Sequence, residues 1–191
     1  LGYEEAVEAG CILPVTVTVY KFRGAETLGG IYQQAYEDAV VGDERFHKMV
    51  AGLVNQYRSQ GLTVAVIVNR ELHGRVLSVE HITQSVFIWG KSPKEDRKRA
   101  WEAIAARDGT CIVSTLIDEA LDLPELDVVI IADVRKSGIK AMQRLRSMTA
   151  TERKRRAFAV FFIPEDVPYI EKHAKRALRF IRSEQPPFRV F

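Results

Sequence analysis

Short, unbroken apolar runs alternate along this chain with segments whose apolar residues recur every three or four positions. Val15 to Phe22 (VTVTVYKF) is rich in β-branched residues and predicts a strand. Asp43 to Ser59 predicts a helix, because Phe46, Met49, Val50, Leu53, Val54 and Tyr57 fall on one stripe and Gly61 ends it. Five further apolar runs predict strands: Leu62–Val68, Val86–Trp89, Thr110–Ser114, Asp127–Ala132 and Phe158–Ile163. Between and after them, Glu71–Val79, Pro93–Arg107, Ser137–Arg146 and Val167–Arg182 read as helices. The last of these points Ile170, His173, Ala174, Ala177, Leu178 and Ile181 inward. Residues 24–42, broken by Gly24, Gly29, Gly30 and Gly42, predict no clear element, and Pro186–Phe191 predicts an extended tail. Apolar strands separated by helices imply an α/β fold with a mostly parallel sheet covered by helices on both faces. In such sheets ligands bind at the carboxyl ends of the strands. The turns after Val68, Trp89, Ser114 and Ala132 are therefore where chemistry is expected.

Charge sharpens that picture. The 191 residues carry a formal net charge of +3. Residues 135–182 hold 14 Lys and Arg against four Asp and Glu, a local charge of +10, while the remainder holds 14 against 21, a local −7. A basic C-terminal third suits a polyanion or an acidic neighbouring domain, although a solvated helix face would look the same. With 47% hydrophobic and 28% charged residues, the composition is that of a globular chain. No apolar run is long enough to cross a membrane and no leader is evident, so no membrane partner is expected. Cys11 and Cys111 form no CxxC pair, and a reducing, cytoplasmic setting is the expectation.

Few motifs carry chemistry by themselves. Gly90-Lys91-Ser92 supplies the end of a Walker A loop, but Ser85 stands where its first glycine belongs. Ser92 with Glu95 reads as a capping box, with Pro93 at the first helical position. That arrangement would turn free amides outward beside Lys91, a geometry suited to an anion. Ser114 and Thr115 end a buried strand and are followed by Asp118, Glu119 and Asp122. Gln143, Arg144 and Arg146 follow the Asp127–Ala132 strand, where arginines can stabilise a phosphoryl group. His47, His73, His81 and His173 show no metal-ligand spacing, and no metal site is assigned.

The order of these segments is more specific than any one of them. VAVIVNR, VFIWGKSPKEDR, CIVSTLIDEALDLPELDVVIIAD and SGIKAMQR resemble motifs IV, IVa, V and VI of superfamily II helicases. The nearest type is the DEAD/DEAH-like helicases of the phage UvsW/XPB kind, and the likeness runs from about Tyr32 to Phe188. The resemblance implies a RecA-like three-layer domain. Residues 1–30 would lead in from a first RecA-like domain, and residues 31–191 would form the second.

It also implies roles. Gly90, Lys91, Ser92, Ser114 and Thr115 would touch a nucleic-acid backbone, with Arg70 and His73 in the turn after motif IV. Asp122, Gln143 and Ala120, the last replacing a customary glycine, would lie on the nucleotide side. Gln143, Arg144 and Arg146 would be the catalytic set at the domain interface. Motif VI departs from GRxxR. A gapless alignment sets Arg146, Ser147 and Ala150 at its Gly, Arg and Arg positions, whereas a one-residue deletion makes Arg146 the first finger and leaves Thr149 at the second. ATP with Mg, nucleic acid (DNA ahead of RNA) and a first RecA-like domain are the implied ligands and partners. Two functions stay open: the second motor domain of an ATP-dependent DNA helicase or translocase, or a non-catalytic binding module on a degenerate helicase-like fold.

Overall fold

The computed structural model describes residues 3–9, 13–24, 31–116, 125–134, 157–183 and 188–191. The chain begins with α1 (Tyr3–Glu8), then β1 (Val15–Arg23) and α2 (Tyr32–Tyr36), which runs on into a π-helical turn, Glu37–Val41. Next come α3 (Glu44–Arg58), β2 (Val64–Ile67) and α4 (Glu71–Val76), which also continues into a π-helical turn, Leu77–His81. β3 (Ser85–Ile88), α5 (Lys94–Ala106), β4 (Cys111–Ser114), β5 (Val128–Ile131) and β6 (Ala157–Glu165) follow. α6 (Pro168–Ser183) and β7 (Phe188–Val190) close the chain. No helix among the described residues is long and apolar enough to cross a membrane.

The strands form one seven-stranded sheet in the order β3-β4-β2-β5-β6-β1-β7, and every pairing is parallel. Every residue of β2, β4 and β5 is buried, as expected of strands covered on both sides. α3 covers one face. Its Phe46 stacks on Phe22 at 4.7 Å and meets Phe162 edge-on at 5.0 Å, while Tyr57 approaches Phe158. α4 lies on this face too, against β3, so closely that a Cβ on Gly74 would fall 2.1 Å from the Phe87 ring. α6 covers the opposite face, where its Leu178 lines an open pocket together with Val19, Ile163 and Val190. The connection through α5 runs back along the sheet, and right-handed crossing puts it on the α6 face.

Most predicted elements form, with instructive differences. Val15–Arg23, within the segment expected to lead in from another domain, is paired over nine positions with β6 and is integral to this sheet. Residues 31–41, predicted as irregular, are helical; Ala35, Tyr36, Ala39, Val40 and Val41 are buried, so packing overrides the glycine punctuation around them. The tail is extended as predicted and adds an edge strand, with Phe191 exchanging backbone hydrogen bonds with Val19 and Lys21. Asp43 caps α3 by accepting from the Arg45 and Phe46 amides. The predicted Ser92–Glu95 capping box does not form: Pro93 occupies the cap position, and the Ser92 hydroxyl accepts from the Trp89 amide instead. The helix predicted over Ser137–Arg146 lies outside the described residues.

At the amino ends of the strands one carboxylate ties three elements together. Asp127 is 6% exposed. Its Oδ2 accepts from the Thr63 amide at 2.9 Å, the Thr63 hydroxyl at 3.1 Å and Arg107 at 2.6 Å. The single proton of Thr63 Oγ1 is shared between that carboxylate and the Glu125 carbonyl, and the oxygen accepts from the Asp127 amide. Asp127→Ala would leave the buried Thr63 amide without a partner and take the nearest carboxylate from Arg107, which keeps only the Gly61 carbonyl at 3.0 Å and Glu125 at 3.6 Å. The expected loss is about 3 kcal/mol of stability, read as a lower midpoint in urea unfolding.

Candidate nucleic-acid interface

Parallel pairing collects all the strand carboxyl ends on one edge. There the Thr115 amide donates to the Ile88 carbonyl at 3.1 Å and the Val68 amide to the Ser114 carbonyl at 2.9 Å. The turn after β3 (Trp89, Gly90, Lys91, Ser92) therefore lies one strand spacing, about 4.8 Å, from Thr115. Val68 and Asn69 lie a further spacing along. Three of the four turns singled out from the sequence are thus side by side.

The turn after β3 is tightly closed. The Ser92 amide donates to the Trp89 carbonyl at 2.9 Å, and the Trp89 amide returns a bond to the Ser92 hydroxyl at 3.0 Å. Arg97 donates to the Gly90 carbonyl at 2.8 Å. Gly90 and Lys91 are exposed, and a Cβ at Gly90 would meet nothing. Lys91 Nζ lies 5.5 Å from the centroid of the Trp89 ring. Arg75 reaches the same surface, 5.4 Å from Trp89 and 5.8 Å from Phe87. A half-exposed indole with two cations on it is a feature that the motifs did not single out. Its signal was an aromatic residue directly before Gly-Lys at a strand end, since aromatics beside cations suit single-stranded nucleic acid.

The other candidates differ in what they leave available. Thr115 is half-buried, and its hydroxyl makes no hydrogen bond among the described residues. The Ser92 hydroxyl accepts a bond but keeps its own proton to donate. Ser114 is fully buried, and its hydroxyl accepts from the Leu116 amide at 2.9 Å, so it shapes the turn from inside. Arg70 turns away from the strand edge to pair with Glu37 at 3.2 Å. Glu95 and Asp96 already sit in the first turn of α5, where their charge opposes an anion at that helix end. A cation and two hydroxyls are what remain for phosphate oxygens. Ala120, Asp122, Gln143, Arg144 and Arg146 lie outside the described residues.

Other chemistry finds no support here. Burial pushes the Cys111 thiol up to about 12, so no nucleophilic thiolate forms there near neutral pH. Among the described residues, no three His, Cys, Asp or Glu side chains converge to hold a metal ion. His73 is wholly buried beside Phe46 and His47, and burial, followed by the neighbouring His47, drives its pKa down to about 3. It is a packing residue of α4.

No family model matches the chain. In sequence it is 31% identical over 100 residues to a putative helicase of Sulfolobus islandicus filamentous virus. It is 24% identical over 106 residues to the ATP-dependent DNA helicase RecG of Aquifex aeolicus. Those matches cover 51% and 55% of this chain but only 18% and 13% of the two relatives, so it corresponds to a small part of their length. In structure it resembles T4 UvsW with a TM-score of 0.74 at 14% identity, covering 93% of this chain and 41% of that one. It also resembles the C-terminal domain of the DEAD-box protein Dbp5, at TM-score 0.56 and 12% identity, covering 93% and 90%. The fold is the one that these two solved structures share with this chain, an α/β domain built on a parallel sheet.

The buried His73 gives this domain a pH signature. In the unfolded chain the residue titrates near 6.5, and in the folded chain only near 3. Between those values the unfolded state binds more protons, so stability falls as pH falls through that window and is unaffected above it. Burial and then His81 also lower the pKa of His47, which adds in the same direction. Unfolding free energies from urea titrations between about pH 7 and about pH 4 should drop by up to roughly 1.4 kcal/mol per pH unit for His73. His73→Leu should flatten that dependence.

Proposed function

We propose that this chain is the second motor domain of an ATP-dependent DNA helicase or translocase. It would grip the nucleic-acid backbone at the carboxyl edge of its sheet. What carries the reading is the juxtaposition at neighbouring strand ends of Lys91, the Ser92 hydroxyl proton and the unused Thr115 hydroxyl. Gly90, whose front is open, lets a backbone approach without obstruction. The helicase-type fold and the helicase relatives support the same conclusion. Contacts of this kind read phosphate rather than base, so the grip would be indifferent to sequence and steeply salt-dependent. Trp89, with Arg75 and Lys91 around it, would add a stacking surface for an unpaired base. Ser114 and Arg70 would act one step back, through the turn and the α2–α4 contact that they hold.

ATP would be bound between this domain and a first RecA-like domain. Asp122, Ala120 and Gln143 would lie on its nucleotide side, and Arg144 or Arg146 would reach the phosphates. Mg would enter with the nucleotide and, like it, need the first RecA-like domain. With the Walker A pattern lacking from these 191 residues, the purified chain should show no ATP turnover above buffer.

Binding to fluorescent random-sequence DNA, titrated with salt, tests the grip. Lys91→Ala should weaken binding and reduce the salt slope by about 0.7 to 0.9, the contribution of one phosphate contact. An unchanged slope would remove Lys91 from the interface. Trp89→Ala should weaken single-stranded more than duplex binding, by roughly 1–3 kcal/mol if the indole stacks on a base.

A further inference from the structure

The last strand leaves one edge of the sheet open. Among the described residues no strand lies beyond β7. Phe191 turns its backbone to β1, donating to the Val19 carbonyl at 2.8 Å and accepting from the Lys21 amide at 2.9 Å. Backbone groups alternate in direction along a strand, so the amide and carbonyl of Val190 point away from β1. They have no partner among the described residues. An unpaired edge of this kind is a template for another extended chain.

The surroundings of that edge point to the chemistry of the chain that would pair there. Beside it, the pocket under α6 is an open groove of about 460 Å³, lined by Ile163, Leu178 and Val190 and by Lys175, Arg179 and Arg182. No carboxylate lines it among the described residues. The three cations, at positions i, i+4 and i+7 of α6, form one stripe along about 10 Å of helix, the reach of about three extended residues. Lys175 pairs with Glu171, and Arg182 has a partner within the fold. Arg179 is exposed and holds no ion pair or hydrogen bond among the described residues. On the opposite face of the same edge, the Phe191 ring stacks on Tyr20 at 5.6 Å and is 64% exposed. A strand laid along β7 would therefore meet cations with one set of alternate side chains and an exposed aromatic ring with the other.

We propose that the β7 edge docks an extended segment of a partner protein in which acidic and apolar residues alternate. Its backbone pairs with Val190, its carboxylates meet the α6 stripe, and its apolar side chains cover Phe191. Main-chain bonds supply affinity in this mode, and the two faces supply specificity. A second copy of this chain fits less well, because antiparallel pairing of two β7 edges would bring two cationic stripes onto one face. Nucleic acid would answer the cations but has no amide backbone for the edge.

The test uses the full chain and a fluorescein-labelled peptide of alternating Glu and Val, followed by anisotropy, with an alternating Lys and Val peptide as control. The Glu peptide should bind and the Lys peptide should not. Arg179→Glu should weaken binding roughly tenfold or more, because a charge-assisted contact is replaced by repulsion. The side chain is exposed, so the variant should fold. Val190→Pro removes only the outward amide, a position where an edge strand tolerates proline, and should also weaken binding. The Glu peptide with every amide N-methylated cannot add as a strand and should not bind, a control that leaves the protein unaltered. Parental binding by Arg179→Glu, or equal binding of the N-methylated peptide, would overturn the proposal. Displacement of the peptide by duplex DNA, or a dimer of this chain that excess peptide does not dissociate, would overturn the assignment to an acidic protein segment.

Discussion

Every strand pairing among the described residues is parallel, and that one constraint organises the rest. A parallel strand cannot be followed directly by its neighbour, so the chain must cross the sheet between strands, and among the described residues α2, α3, α4, α5 and α6 lie on such crossings. The crossings run one way along the sheet through α2, α3 and α4, and the other way through α5 and α6. The sheet is therefore covered on both faces, and its central strands need no polar side. The same constraint sends every strand's carboxyl end to one edge, and β2, β4 and β3 become neighbours there although their turns lie far apart in the chain.

The two edges of the sheet treat polar groups in opposite ways. At the amino edge, the Asp127 carboxylate satisfies Thr63 and Arg107, and the network closes on itself. It holds β2 to β5 and fixes the end of α5, where Arg107 adopts a left-handed conformation, φ +54°. At the carboxyl edge, Thr115 and Lys91 are left with donors that the fold does not use. The polar groups of the amino edge are spent on one another, whereas those of the carboxyl edge keep donors to spare.

Charge is segregated in a similar way. Glu37, Asp38, Glu44, Glu80, His47 and His81 gather around an open groove on one face. The outward side of α6 on the other face presents Lys172, Lys175, Arg176, Arg179 and Arg182. Gly74 sets how closely the first group of helices can approach the sheet, and with it where Arg75 meets Trp89. A change on the helix face would therefore be felt at the strand edge through packing rather than through charge.

Periodicity in the sequence was enough to locate the strands and long helices, because short buried strands and an amphipathic stripe such as Phe46–Tyr57 are decided by nearest neighbours and by burial. The likeness of motif order was enough to suggest a helicase-type domain and the strand-end turns. It could not say which polar atoms in those turns remain available. Ser114 and Thr115 are adjacent and alike in sequence, yet one hydroxyl closes a turn in the interior and the other is unused. Ser92 and Glu95 match a capping box, but the turn after β3 takes the serine hydroxyl for Trp89. Arg70 looks like a phosphate contact until Glu37, 33 residues earlier in the chain, is brought beside it. The π-helical turns and the cations around Trp89 arise in the same way. Each depends on which distant side chain a crossover delivers, so the sequence by itself determined the elements and their order, and the tertiary packing alone decided which donors and acceptors were left over to act.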